Sequence, residues 1–360
     1  MTVAFVAPRF HTNQFHLIKE LLQREISVRF FAFESKHSEN HELFQPEVVG
    51  YAWFTKTTSH SRQLKYGLPS FQCIRSVLGA NADVTILRAF SKSTFILSII
   101  LRLAGRKVVI YTQEPIHSDA PSLLRLWFKR LCGKFVMTPV WGDATKPHRD
   151  VMMLGQKWEY VPFVIHPNPK ATGRKYFKDG KINILVIGKY TARKNIIEFL
   201  NTYKKVSSEI PGLSLTITGT ILEQEVYEKA LALASEMESV KLLRDIPHTE
   251  MENLYLDADL FVLPAVQEPA SISQLEAMAN GLAVICSDDN GTASYVKPGI
   301  NGEIFHVQNY DVELYQKLMK LLTDRNLIRS MGMQSLELVK NYHNVDLYMK
   351  FLQSHADGRA

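Results

Sequence analysis

Two carboxylates and three cations in the second half of the chain stand out by type and spacing. Glu268 and Glu276 bracket the segment Glu268-Pro-Ala-Ser-Ile-Ser-Gln-Leu-Glu276. In a helix, Glu276 shares an i, i+3, i+4, i+7 stripe with Ile272, Leu275 and Ala279, and such a stripe faces the core. A carboxylate there needs partners, because burying an unpaired charge is costly. Hydroxyl groups of a bound ligand would satisfy it; a glutamate at the stripe's edge, reaching water or capping a loop, is the plainer alternative. The cations Lys189, Arg193 and Lys194 crowd the loop Gly188-Lys189-Tyr-Thr-Ala-Arg193-Lys194-Asn195. Positive groups so close across one loop can converge on an anion and stabilise charge on a departing group without a metal. A solvated basic loop is the alternative.

The elements around these residues favour a binding site. Phe261-Val-Leu-Pro264 reads as a strand leading into Glu268, and Ser271 or Ile272 opens a helix that stops near Asn280-Gly281. A strand over 182–188 leads into the basic loop, and a helix over 196–203 follows it. In an open α/β sheet the carboxyl edge faces the ligand crevice, and a helix start offers unpaired N–H groups to phosphate.

Short β-branched runs alternate with amphipathic stretches along the chain, the pattern of βα units feeding a parallel sheet. The first half predicts strands over 3–7, 28–33, 84–87, 107–112 and 135–138, with helices over 13–23, 92–103 and 122–131. The proline-rich stretch 159–170 breaks the pattern and reads as a linker. Further strands are expected over 213–218, 240–243, 260–263 and 283–287. The expected organisation is an N-terminal Rossmann-like domain over 1–160, a linker over 161–180, a second Rossmann-like domain over 181–340, and a final helix over 341–360 crossing back to the first.

The bulk numbers agree with two domains. A chain of 360 residues exceeds the size of one ordinary core, and 46% hydrophobic with 22% charged residues is globular composition. Three scattered cysteines suggest neither disulfides nor zinc. Residues 1–170 hold 22 Lys and Arg against 12 Asp and Glu, a surplus of ten, whereas the remainder holds 20 against 24. The basic half can serve an anionic membrane, nucleic acid or an acidic acceptor. The N-terminus opens directly as a strand, so no signal peptide is expected, and the apolar run 94–104 is too short to span a membrane. A cytoplasmic protein is expected.

Glu-x7-Glu followed by Ala-Met-Ala-x-Gly and a Val-Ile strand resembles the signature of the retaining GT-B glycosyltransferases of family four, the glycosyl transferases group 1. The likeness runs on through Asp288-Asp-Asn-Gly-Thr, Val296-Lys-Pro-Gly-Ile-Asn-Gly302 and the helix with Leu321-Leu-Thr-Asp, and covers about residues 180–350. The resemblance implies two Rossmann-like domains with parallel sheets facing a central cleft. It implies transfer of a sugar, with retention, from a UDP- or GDP-linked donor to a glycan or lipid-linked acceptor, as in bacterial envelope polysaccharide synthesis. No cofactor, metal or covalent enzyme intermediate is then needed. Glu268 would lie beside the donor sugar, Glu276 would bind the nucleotide ribose, and Lys189 with Lys194 would hold the departing diphosphate after Gly188. Lys189 stands where the family's Gly-Arg-x4-Lys element has Arg, a loss Arg193 can offset. Ser271 stands where the family has Gly; its hydroxyl can cap the helix beginning at Ile272 or bind phosphate. Ile246, in Arg244-Asp-Ile-Pro-His248, would meet the base through its backbone, and Thr249 with Glu252 reads as a capping box for the next helix. Asn290-Gly291-Thr292 reads either as a further donor contact or as a tight turn.

In the first half, Arg9, His11 and Asn13 follow the first strand and are expected on the acceptor side, although Asn13 can simply cap a helix. Glu114 and His117 follow the strand over 107–112, where many family members place a His near the reacting centre; a solvent-facing loop His is the alternative. Segment 122–134 has an apolar face and a basic one, suited to packing in the domain or to docking peripherally on an anionic membrane at its inner face. Two other functions share these features: a nucleotide-sugar 2-epimerase of the same architecture, and a non-catalytic basic binding subunit. No nucleic-acid-binding motif accompanies the charge, and no nucleic acid partner is expected.

Overall fold

The computed structural model describes residues 1–10, 12–34, 44–59, 62–88, 91–112, 135–138 and 157–357. Its α/β architecture is built on two parallel sheets. The first contains β1 (Thr2–Ala7), β2 (Ser27–Ala32) and β3 (Glu47–Val48), with α1 (Thr12–Gln23) between the first two. An antiparallel hairpin of β4 (Tyr51–Ser59) and β5 (Arg62–Pro69) follows, then α2 (Phe71–Gly79), β6 (Val84–Arg88), α3 (Lys92–Leu103), β7 (Val108–Tyr111), β8 (Phe135–Thr138) and β9 (Lys157–Tyr160). The order β3-β2-β1-β6-β7-β8-β9 reverses direction beside β1. Local chemistry sets the helix starts. Ser70 Oγ accepts from Cys73 N at 2.9 Å, and Ser91 with Thr94 forms a reciprocal box, the two backbone N–H groups reaching the opposite hydroxyls at 2.8 and 3.2 Å.

The second sheet comprises β10 (Ile182–Ile187), β11 (Leu213–Gly219), β12 (Val240–Arg244), β13 (Leu260–Leu263), β14 (Ala283–Ser287) and β15 (Gly302–Phe305). Between them run α4 (Ile196–Glu209), α5 (Gln224–Ser235), α6 (His248–Asp257) and α7 (Ile272–Ala279). The order β12-β11-β10-β13-β14-β15 is parallel throughout. Every residue of β13 and β14 is buried, which is why both read as unbroken apolar runs. The chain reverses its order between β10 and β13, and that switch opens a crevice at their carboxyl ends.

The stretch expected to be a linker is packed at its start. Glu159 and Tyr160 belong to β9, the edge strand of the first sheet. Beyond them Val161, Phe163, Val164 and Ile165 are 3–5% exposed and join the core. The prolines exclude a helix but not burial. The chain ends in α8 (Tyr310–Leu322), α9 (Arg325–Tyr342) and α10 (Val345–Ala356), and the last two hold this strap. His343, between α9 and α10, donates from Nδ1 to Phe163 O at 3.0 Å, and Ile165 N donates to His343 O at 3.0 Å. Burial pushes the imidazole pKa down to about 4, against the pull of the Phe163 carbonyl, so the ring is neutral.

α10 packs on α1 and β6 of the first sheet. Arg24 Nη2 meets Asp346 Oδ1 at 2.6 Å, and Lys107 bonds the Ala356 carbonyl. Val345, Tyr348, Phe351 and Leu352 share one core with Phe5, Leu17 and Ile86. No helix among the described residues is long and apolar enough to cross a membrane. Phe351→Ala should cost about 4 kcal/mol, since a large buried ring is lost from a packed site; a urea midpoint equal to that of the unaltered chain would show that α10 is not part of this core.

Candidate functional site

The site is built where β10 and β13 end. Gly188 N donates to Thr218 O at 3.0 Å, and a Cβ added to Gly219 would lie 2.0 Å from Gly188 O, so the ends of β10 and its other neighbour, β11, approach as closely as glycine permits. Tyr190, fully buried, anchors the loop by donating its hydroxyl to Leu243 O at 3.1 Å. A 3-10 turn over Ala192–Lys194 then closes on Asn195 at φ 49°, a left-handed residue that turns the chain into α4. The Lys194 stem folds back over Gly188, whose added Cβ would meet Lys194 Cδ at 3.1 Å.

The loop after β13 is bonded to this one and to the loop after β14. Val266 N donates to Arg193 O at 3.0 Å. Gln267 is held at φ 48° while its N–H donates to Asp289 Oδ2 at 2.8 Å. Glu268 N donates to Asp289 O at 3.1 Å, and Gly291 N returns a bond to Glu268 O at 2.8 Å. The Glu268 side chain, 8% exposed, accepts at one oxygen, Oε2, from Lys194 Nζ at 2.6 Å and from Arg193 Nη1 at 2.7 Å. Burial pushes the Glu268 pKa up, but Lys194 and Arg193 outweigh it and hold the carboxyl below its ordinary range.

α7 carries the second carboxylate. Ser271 caps it, its Oγ accepting from Gln274 N at 3.3 Å and lying 3.1 Å from Ser273 Oγ. Asn290 and Thr292 are fully buried and bond Gln274: Asn290 Nδ2 donates to Gln274 Oε1 at 2.7 Å, and Gln274 Nε2 donates to Thr292 O at 2.8 Å. Asn290-Gly291-Thr292 is therefore a buried lock between α7 and β14 rather than a mere tight turn. Glu276 is half-buried and accepts the Tyr255 hydroxyl at Oε2, 2.7 Å away.

The structure thus gathers Gly188, Arg193, Lys194 and Glu268 into one cluster, with Ser271, Ile272 and Glu276 on the adjoining helix. The cations that converge on one acceptor are Arg193 and Lys194, whereas the sequence pattern pairs Lys189 with Lys194; Lys189 is exposed at the start of the loop. Ile246 is half-buried beyond β12, after Asp245 at φ 50°. α6 begins at His248, ahead of the start that a capping box at Thr249 and Glu252 would give, and Glu252 accepts from Asn168 Nδ2 and Lys170 Nζ, each at 2.9 Å.

In the first sheet Arg9 is half-buried beyond β1 and beside Arg88, whose pKa is lowered by burial, raised by Tyr111 and lowered by Arg9. Asn13 lies inside α1, not ahead of it. His11, Glu114, His117 and the basic segment 122–134 lie outside the described residues. Sequence reasoning missed Asp289 and Tyr255. The doubled Asp288-Asp289 before Asn290-Gly291 was the available signal for the first; Tyr255 sits in an ordinary helical pattern and carries none.

Residues 170–337 match the family model for glycosyl transferases group 1. An uncharacterized glycosyltransferase of Methanocaldococcus jannaschii is 29% identical over 134 residues, 37% of this chain and 34% of that protein. The chain thus spans about a third of the length of that relative. A glycosyltransferase structure from Rickettsia africae superposes with a TM-score of 0.75 at 12% identity, over 99% of this chain and 98% of that one. Anabaena HepE in complex with UDP and glucose superposes with a TM-score of 0.71 at 13% identity, over 99% and 100%. Both likenesses extend the shared fold over the first sheet as well as the second. The two sheets are those of the GT-B fold, and residues 170–337, which carry Lys194, Glu268 and Glu276, match the family model for glycosyl transferases group 1.

Proposed function

We propose that the protein is a retaining glycosyltransferase that moves a sugar from a UDP- or GDP-linked donor to a glycan or lipid-linked acceptor. The observation that carries the reading is the convergence of Arg193 and Lys194 on one buried oxygen at the carboxyl edge between β10 and β13. Two fixed cations against one carboxylate leave a surplus positive charge there, poised for a diphosphate. As the donor's bond from anomeric carbon to phosphate oxygen breaks, the electron pair goes to the diphosphate, and Lys194 and Arg193 stabilise it. The acceptor hydroxyl forms the new bond at the same carbon on the face the diphosphate leaves, and its proton ends on the departing nucleoside diphosphate. Charge stabilisation by the chain's own cations makes the reaction metal-independent. Glu276 binds the ribose and Glu268 lies beside the sugar, as the family resemblance implies.

The positive surplus of residues 1–170 supports a lipid-linked acceptor reached from the inner face of a membrane, where anionic headgroups attract basic surfaces. Envelope polysaccharide synthesis is the setting that fits such an acceptor.

Removing one charge-stabilising group from a preorganised site costs about a hundredfold or more in turnover. Lys194→Ala should show that loss with UDP- or GDP-sugars in EDTA, and Glu276→Ala should raise KM for the donor. If both variants consume the donor as fast as the unaltered chain does, the assignment fails.

The ion pairs also make stability depend on pH. The folded Glu268 pKa lies below the unfolded one, so its contribution is present above the ordinary carboxylate range and lost as pH falls through the folded value. Glu268→Gln should therefore destabilise the ligand-free protein by about 2 kcal/mol at neutral pH, the scale of hydrogen bonds to a charged group. The gap should close below about pH 4. A gap that stays constant down to pH 3 in thermal unfolding would show that the cations do not hold this carboxylate ionised.

A further inference from the structure

Among the described residues, Glu276 is held at both its backbone carbonyl and its side chain. Its backbone carbonyl accepts from Asn280 N at 3.0 Å and Asn280 Nδ2 at 2.9 Å, the ordinary closure of a helix end. Its carboxylate accepts from Tyr255, which comes from another element, α6, and is 3% exposed. A carboxylate only accepts here, so the phenol is the donor. A half-buried glutamate beside a crevice has water within reach and does not need a core residue to satisfy it. The bond instead removes the side chain's rotational freedom and fixes the direction in which it meets the crevice. α6 is also the helix that starts directly after Ile246 and Pro247, so one rigid element links the segment assigned to the base with the carboxylate assigned to the ribose.

We propose that Tyr255 is the positioning residue of ribose recognition: its hydroxyl orients the Glu276 carboxylate so that the sugar hydroxyls of the donor nucleotide are read by an already fixed acceptor. The proposal rests on the assignment of Glu276 to the ribose. Burial and the neighbouring Glu276 charge push the phenol pKa well above 10, so the hydroxyl keeps its proton and remains a donor throughout the working range.

The test is ribose discrimination. Calorimetric affinities for UDP and GDP are compared with those for their 2′-deoxy and 3′-deoxy counterparts. The unaltered chain should prefer the ribose form about tenfold, the scale of one hydrogen bond to a charged group. Glu276→Gln should abolish the preference. Tyr255→Phe, which keeps the ring and removes only the oxygen, should cut it to within about threefold of unity while binding of the deoxy forms is unchanged, and the double variant should be no worse than Glu276→Gln alone. Preference retained in Tyr255→Phe but lost in Glu276→Gln overturns the positioning role, as does an equal weakening of both ligand forms. Preference retained in Glu276→Gln instead defeats the ribose assignment beneath it. Should the Phe variant fail to fold, a fluorotyrosine at position 255 preserves shape and strengthens the O–H donor; the preference must then change, and an unchanged ratio overturns the proposal.

Discussion

The site depends on one carboxylate oxygen that two cations share. Burying charge is unfavourable unless each group is paired, and Glu268, 8% exposed, meets that condition only because Arg193 and Lys194 arrive together from a different loop. Those loops are neighbours because β10 and β13 are adjacent at the point where strand order reverses. The topology therefore sets the electrostatics: the same arrangement on strands further apart would leave a buried anion on one side and a bare basic loop on the other. On the proposed reading, Glu268 also keeps the cations in place before a diphosphate arrives, so little reorganisation accompanies binding.

Holding that oxygen still requires structure behind it. Gln267 adopts a left-handed conformation that residues other than glycine rarely take, and Asp289 stabilises it by accepting its N–H while the Asp289 carbonyl accepts the next one. Asp289 is fixed in turn by the chain of bonds through Asn290, Thr292 and Gln274 to α7. A buried polar network of this kind is tolerated because its members are mutually bonded, and it specifies one arrangement. It also couples the two carboxylates, since Glu268 precedes α7 and Glu276 lies on it.

Much of the second sheet was legible in the sequence because its central strands β13 and β14 are buried on both faces and read as unbroken runs, and because Ser271 and Gly281 mark the ends of α7 by ordinary capping chemistry. In the first sheet β1, β2, β6, β7 and β8 were legible as short β-branched or apolar runs, whereas β3 is only two residues long. The hairpin of β4 and β5 stands apart from the main sheet, and β9 was hidden by the prolines that follow it, which break the helical pattern and were read as a linker. At the site, residue types and their order were legible but partners were not. Glu252 satisfies a local capping pattern and yet is taken by Asn168 and Lys170, more than eighty residues away in the chain. The Tyr255 bond to Glu276 depends likewise on how α6 and α7 pack, which spacing within either helix does not reveal.

That Arg193 joins Lys194 on the Glu268 carboxylate has a physical basis in the geometry of the side chain. A guanidinium is a planar fork with five donors, whereas an ammonium is a point charge on a flexible stem. Arg193 Nη1 reaches both Glu268 Oε2 at 2.7 Å and the Gln267 carbonyl at 3.3 Å, so it braces the very residue held in the strained conformation. Arg193 reaches Glu268 from within the 3-10 turn, whereas Lys189 stands earlier, at the start of the loop. Placing the guanidinium there lets one side chain brace the loop backbone and pair the buried carboxylate together.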